Sequence, residues 1–181
     1  MKNVIRFGAV VIAMALSTIA NATTFEFSYK FNSGVTVTGT FDGTANGNLV
    51  TGLSNASLSL NGASLGNNLY IYVMNGFVPS WNVGNAVASF DGYANNFIFA
   101  DGGRLSSHNY FFSTKTDGFL SPVSYSASLS TLDTYQYDSG PAGAIQGGWH
   151  LAAVPEPETY AMLLAGLGLV GAIARRKRLA A

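Results

Sequence analysis

The sequence predicts an all-β protein: an antiparallel β-sandwich, jelly-roll-like or barrel-like in course, with an N-terminal signal helix and a single C-terminal transmembrane helix. Three observations carry this expectation. Between residues 23 and 154 the apolar side chains recur with a period of two. These short runs are punctuated by Gly, Asn and Ser, the residues that turns require. At each end lies an apolar stretch flanked by basic residues, which divides the chain into 1–22, 23–153 and 154–178.

The first segment has the order of a secretory signal. Lys2 and Arg6 precede the apolar stretch from Phe7 to Ile19, and Ala20-Asn21-Ala22 places small residues where a signal peptidase inspects the chain. Cleavage is expected before Thr23, after passage through the Sec translocon. The stretch is too short to cross a hydrocarbon layer of roughly 30 Å comfortably and has no basic stop beyond it.

The exported segment opens on a hairpin. Phe25, Phe27, Tyr29 and Phe31 alternate with Glu26, Ser28 and Lys30, so four aromatics share one face of a strand. Val35, Val37, Gly39 and Phe41 alternate with Thr36, Thr38 and Thr40, and Asn32-Ser33-Gly34 supplies the connecting loop. Further strands are expected at 49–53, 56–60, 69–74, 87–90, 96–100, 109–113, 123–129 and 149–154. The pattern Phe-Asp-Gly-x-Ala-Asn occurs at 41–46 and again at 90–95. Two similar Asp-capped turns explain it better than paired calcium loops, because calcium takes six to eight oxygens with several carboxylates close together.

Charge excludes some functions. The whole chain is formally neutral, but most of its basic residues lie in the terminal segments. Between 23 and 154 only Lys30, Arg104 and Lys115 face Glu26, Asp42, Asp91, Asp101, Asp117, Asp133 and Asp138. Such an acidic domain lacks the clustered basic footprint of a nucleic-acid binder. With no cysteine, disulfides and thiolate chemistry are absent, and stability has to come from core burial.

Catalytic patterns are sparse. His108 and His150 are the only histidines and stand in no metal-binding spacing, so no metal or cofactor is expected. There is no Gly-x-Ser-x-Gly elbow and no phosphate loop opening a helix. Asp101 and Asp117 form a conceivable carboxylate pair with nothing in their separation to support it. The threonines at 36, 38 and 40 make one short row, which solvent-facing strand positions already favour. The aromatics Tyr70, Tyr72, Phe77, Trp81, Tyr93, Phe97, Phe99, Tyr110, Phe111, Phe112 and Tyr125 are numerous enough that some should be exposed; they are expected mostly to fill the core, a polysaccharide-stacking cluster being the alternative.

The C-terminal segment is the most specific. Val154-Pro155-Glu156-Pro157-Glu158 holds Glu156 between two prolines in extended backbone, as a protease or transpeptidase cleft accepts. Tyr160 to Ala174 is apolar and spans about 22 Å as a helix, with Gly166, Gly168 and Gly171 permitting close helix packing. Arg175, Arg176, Lys177 and Arg178 form a basic stop that stays cytoplasmic, leaving the β domain outside the inner membrane.

In these residues the chain resembles the PEP-CTERM proteins exported by Gram-negative bacteria, over about residues 154–178. The resemblance implies recognition by a membrane-embedded exosortase and processing near Pro155-Glu156-Pro157. It also implies transient anchoring in the inner membrane, delivery to the cell surface, and a link to exopolysaccharide and biofilm. The same segment has been labelled an ice-binding protein C-terminal domain, although nothing in it is suited to ice. The resemblance brings no catalytic residue to the β domain. A non-enzymatic surface or matrix protein is therefore expected, with a secreted polysaccharide hydrolase and a carbohydrate-binding module built on Trp81 and Trp149 as alternatives.

Overall fold

The computed structural model describes residues 23–74, 81–82, 84–103, 106–116, 124–141, 146–155, 161–170 and 175. The predicted signal peptide, with Ala20 and Ala22, lies outside the described residues. So do Phe77, Arg104, Asp117, Glu156, Pro157, Arg176, Lys177 and Arg178.

The strands, in chain order, are β1 (Thr23–Lys30), β2 (Thr36–Asn46), β3 (Leu49–Ser54), β4 (Ala56–Leu60), β5 (Ala63–Met74) and β6 (Trp81–Asn82). They continue as β7 (Ala88–Ser89), β8 (Asn96–Ala100), β9 (Tyr110–Thr116), β10 (Ser124–Ser130), β11 (Tyr135–Gly140) and β12 (Trp149–Ala153). A single 3-10 turn at Gln146–Gly148 precedes the last strand. The expected strands are all present. β11, β6 and the first half of β5 are additions to the sequence expectation.

The sheet runs in the order β11-β10-β9-β8-β5-β4-β2-β1-β12, with β3 joining β2 to β7 and β6 lying beside β5. Every pairing is antiparallel. Most neighbours follow one another in sequence, so the course is a meander rather than the crossed connections of a jelly roll. The bend lies in β5. Its early residues pair with β4 as far as Leu69 and its later ones with β8 from Tyr70, and just before this change of partner Asn68 takes a left-handed φ of 52°. The β4–β5 turn is Asn61-Gly62, both at positive φ, the combination that matches strand twist in a two-residue hairpin.

Bending at β5 lays one half of the sheet over the other. Phe27 of β1 stacks on Phe111 of β9 at 5.8 Å between ring centroids and meets Phe99 of β8 at 5.5 Å. The core is Phe25, Phe27, Tyr29 and Phe31 from β1, Val37 and Phe41 from β2, Phe97 and Phe99 from β8, Phe111, Leu129, Trp149 and Leu151. Each fully buried ring contributes roughly 1.5–3 kcal/mol, which is how a chain without cysteine holds its halves together.

The two ends of the meander also meet. Asp138 of β11, placed opposite Ala127 and so facing inward, accepts hydrogen bonds at 3.0 Å from the Tyr29 hydroxyl and from the Asn32 N–H. Ser33 in the β1–β2 loop donates to the Gln136 side chain of β11.

The Phe-Asp-Gly-x-Ala-Asn segments are not two similar turns. The second is a turn, in which the Asp91 carboxylate accepts from the Tyr93 N–H at 2.9 Å. The first lies within β2, irregular only between Asp42 and Thr44, where its partner β3 shifts register. Pairing decides the difference: the first copy has β3 beside it, so its residues are drawn into the ladder.

Candidate functional site

The chain leaves the β domain at a fixed place. β12 pairs with β1 from Phe25↔Ala153 to Tyr29↔Trp149, and the Val154 N–H then donates to the Thr24 carbonyl at 2.8 Å. That bond is the last rung. Val154 is half-buried against the sheet, and Pro155, which has no N–H to donate, is already exposed. Thr24 stands next to the predicted signal-cleavage point, so the sequence expects its two cuts beside the residues that close one end of this strand pair.

Beyond the linker, residues 161–170 are helical and fully outward-facing. Met162, Leu164 and Leu169 are each about two-thirds exposed, at 66%, 68% and 67%, and no atom lies near where a side chain would begin at Gly166 or Gly168. Arg175 is exposed as well. The expected transmembrane helix over 160–174 is corrected here: among the described residues no helix is long and apolar enough to cross a membrane. Ten helical residues extend about 15 Å, half of a hydrocarbon layer of roughly 30 Å.

The ionisable groups of the domain are dispersed. Asp101 organises its own loop, accepting from the His108 N–H at 2.9 Å, the Asn109 N–H at 3.0 Å and the Asn109 amide at 2.9 Å. Asp42 accepts from Asn55 and Thr24, both at 2.7 Å, and these bonds hold its carboxyl below the usual carboxylate range. Asp91 is pushed up by burial, but bonds from Asn48 and the Tyr93 N–H outweigh this and also leave it lowered. Asp42 and Asn55 lie at one end of β3 and Asp91 with Asn48 at the other, so the two Phe-Asp-Gly copies do not share one ligand shell. Asp133 is exposed in the β10–β11 turn, as are His108 and His150 on their loop and strand. Among the described residues no three His, Cys, Asp or Glu side chains gather.

Two surfaces remain. Over β1, β2, β4 and β12 lies a groove of about 430 Å³ of mixed polar and apolar lining, with Glu26, Phe27, Thr38, Thr40, Ser57 and His150 among its residues. Here the threonine row meets Ser57, which bonds the Thr40 N–H at 2.9 Å and the Thr40 hydroxyl at 2.8 Å, so these hydroxyls satisfy one another.

The second surface is the outer face of β5 and β8–β11. Strand register places Tyr70, Ala100, Tyr110, Ser130 and Tyr135 in one row, and Tyr72, Ile98, Phe112, Ser128 and Tyr137 in the next. Aromatic and non-aromatic residues therefore alternate across the sheet. Rings stand as pairs along β5, β9 and β11: Tyr70 stacks beside Tyr72 at 6.3 Å and Tyr110 beside Phe112 at 6.5 Å. Between the first two ridges lies Trp81, 5.5 Å from Tyr72 and 5.2 Å from Tyr110, and beneath it Ile98 and Ala100 are completely buried.

The expected aromatics thus divide by strand parity. Phe97, Phe99, Phe111 and Tyr125 are in the core, while Tyr70, Tyr72, Trp81, Tyr110 and Phe112 lie on the outer face. Trp149 is corrected as a platform residue: it is 7% exposed, and its indole N–H donates to the Ser89 carbonyl at 2.8 Å inside the core. Tyr135 and Tyr137 are missing from the sequence expectation. Their signal was the spacing Tyr-x-Tyr opposite Ser-x-Ser-x-Ser, which is visible only once β10 and β11 are known to pair.

The family model of the PEP-CTERM protein-sorting motif matches residues 153–178, the stretch that starts at the last strand residue and runs through the basic tail. The motif supports an exported protein, destined for the cell surface and sorted by an exosortase as its processing partner. No curated protein and no solved structure matches the chain.

Proposed function

We propose that this is a cell-surface or extracellular-matrix protein released from a transient inner-membrane tether by exosortase cutting near Pro155-Glu156-Pro157. Its β domain then serves a structural or binding role linked to exopolysaccharide and biofilm rather than a catalytic one. The observation that carries this is the position of the last rung. Because the Val154 N–H bonds the Thr24 carbonyl and Pro155 follows exposed, a protease reaches the motif without opening the sheet.

The matching order of features supports the same reading. Sec translocation and signal peptidase act on residues 1–22, and the exposed apolar surface of 161–170 supplies what the inner membrane or the exosortase holds, with Arg175 and the residues after it kept on the cytoplasmic side. The local use of Asp91, Asp101 and Asp138 in hydrogen bonds favours binding over hydrolysis.

The test is cell fractionation with intact-mass analysis of the wild type beside Glu156→Ala. The wild type is expected to lose the mass of its C-terminal segment and leave the inner membrane, whereas the variant keeps both. Identical maturation and location of the two forms would overturn the proposal.

A further inference from the structure

We infer that the trough along β10, between the β9 and β11 ring ridges, binds a strand of neutral polysaccharide. The inference deepens the binding role proposed above by giving it a site and a ligand class.

The outer sheet face contains two troughs of the same construction. Strands lie about 4.8 Å apart, so ridges on alternate strands stand about 9.6 Å from each other. The trough over β8 shows what such a gap accepts, because the flat indole of Trp81 already lies between Tyr72 and Tyr110. The trough over β10 has the same walls, Tyr110 with Phe112 on one side and Tyr135 with Tyr137 on the other. Its floor is different. Ser126 and Ser130 are partly exposed, and Ser128 is buried with its hydroxyl donating to the Gln136 carbonyl at 3.0 Å.

Rings at the sides and hydroxyls below suit a sugar chain, whose apolar faces stack on aromatics while its edges take hydrogen bonds. Tyr135 and Tyr137 are 64% and 51% exposed, so their faces are available. The Tyr137 hydroxyl lies 3.3 Å from that of Ser126, which sets the wall ring against the floor.

Charge selects the class of polymer. The outward positions of these five strands are aromatic, aliphatic, Ser, Thr or Asn, with no charged side chain. Among the described residues no cation stands at these outward positions to pair with a uronate or sulfate, and the exported segment carries three basic residues against seven acidic ones. An anionic polysaccharide is disfavoured twice; a neutral one meets no penalty.

The test uses the full chain purified in a detergent without a sugar headgroup. Titration calorimetry is run against neutral gluco-, manno-, galacto- and xylo-hexasaccharides, with hexagalacturonate as the anionic probe. Binding of at least one neutral hexasaccharide is expected. It should weaken at least tenfold in the Tyr135→Ala/Tyr137→Ala double variant and stay unchanged in Tyr70→Ala, whose ring belongs to the far ridge. Both altered tyrosines are exposed edge residues, and circular dichroism checks that the double variant is folded.

Four results would each overturn the inference: no neutral hexasaccharide bound, preference for hexagalacturonate, equal binding by the double variant, or self-association of the wild type lost in that variant, which would make the face a contact between copies. The Glu156→Ala form should bind sugar as the wild type does, so a failure of the sorting proposal and a failure of this one are separable.

Discussion

Replacing Tyr29 by Phe removes one oxygen from the place where the two ends of the meander meet. The Tyr29 ring is 1% exposed, and its hydroxyl donates to Asp138, itself only 9% exposed, at 3.0 Å. Phe fills the same space, so the change isolates the hydrogen bond. A bond to a charged acceptor contributes about 1.5–3 kcal/mol, and Asp138 retains the Asn32 N–H at 3.0 Å after the change. A loss of about 2 kcal/mol at pH 7 is therefore expected, measured by urea unfolding.

The pH dependence makes the test specific. Burial, the bond to Asp138 and the Asp138 charge all push the Tyr29 phenol above its ordinary value of 10.0. In the unfolded chain that phenol ionises near 10, while in the folded protein it keeps its proton. The unfolded state therefore binds fewer protons above pH 10, and unfolding becomes easier by about 1.4 kcal/mol per pH unit. The stabilisation is fully present below pH 10 and is lost as pH rises toward the raised folded value. Tyr29→Phe has no such group at this position, so its deficit should shrink steadily above pH 10. A wild type and variant of equal stability at pH 7, or a gap that stays constant from pH 7 to 11, would refute the account of this seam.

Two other substitutions test the core. A side chain at Gly39 would overlap the Ser57 carbonyl oxygen and lie 2.6 Å from the Phe27 ring, so Gly39→Ala is expected to cost about 1–3 kcal/mol of overpacking; an unchanged urea midpoint would mean that β2 and β4 yield more freely than their pairing implies. Trp149→Phe leaves the Ser89 carbonyl without its indole donor and should destabilise by about 1–3 kcal/mol without altering hexasaccharide binding; a loss of binding at full stability would return Trp149 to a surface role.

Much of the fold is legible because most strands have one apolar face. The alternation from Phe25 to Phe31 fixed β1 and its inward side, and Asn32-Ser33-Gly34 fixed the first hairpin, closed by the Phe31 N–H donating to the Val35 carbonyl at 2.8 Å. β11 escapes the same logic. Its inward residues are Gln136 and Asp138 and its outward ones Tyr135 and Tyr137, so a rule that sends rings inward gives it the wrong face or no strand at all. The Phe-Asp-Gly repeat fails for a related reason, since five identical positions out of six do not specify whether a partner strand lies alongside. The sorting motif is legible because it is one continuous run of residues, which the family model matches at 153–178 without any fold being needed to assemble it. The ring-walled trough is not, because its walls belong to β9 and β11, which become neighbours of β10 only after register is set.

The geometry at the end of β12 bears on how an exported domain tolerates two cuts. Removing a terminal segment is harmless only if no ladder bond or core side chain lies beyond the cut. On the N-terminal side the ladder begins at Thr23, paired with Gly43, and the first core ring is Phe25. On the C-terminal side the last core side chain is Leu151 and the last rung belongs to Val154. Both proposed cuts fall just outside these limits, so the domain keeps every rung when released. The bond between Val154 and Thr24 places the start and the end of the described ladder side by side at one end of the β1–β12 pair. The ringed outer face is built from β5 and β8–β11, the half of the sheet that excludes this exit strand pair, so the proposed cut and the proposed binding face draw on different strands.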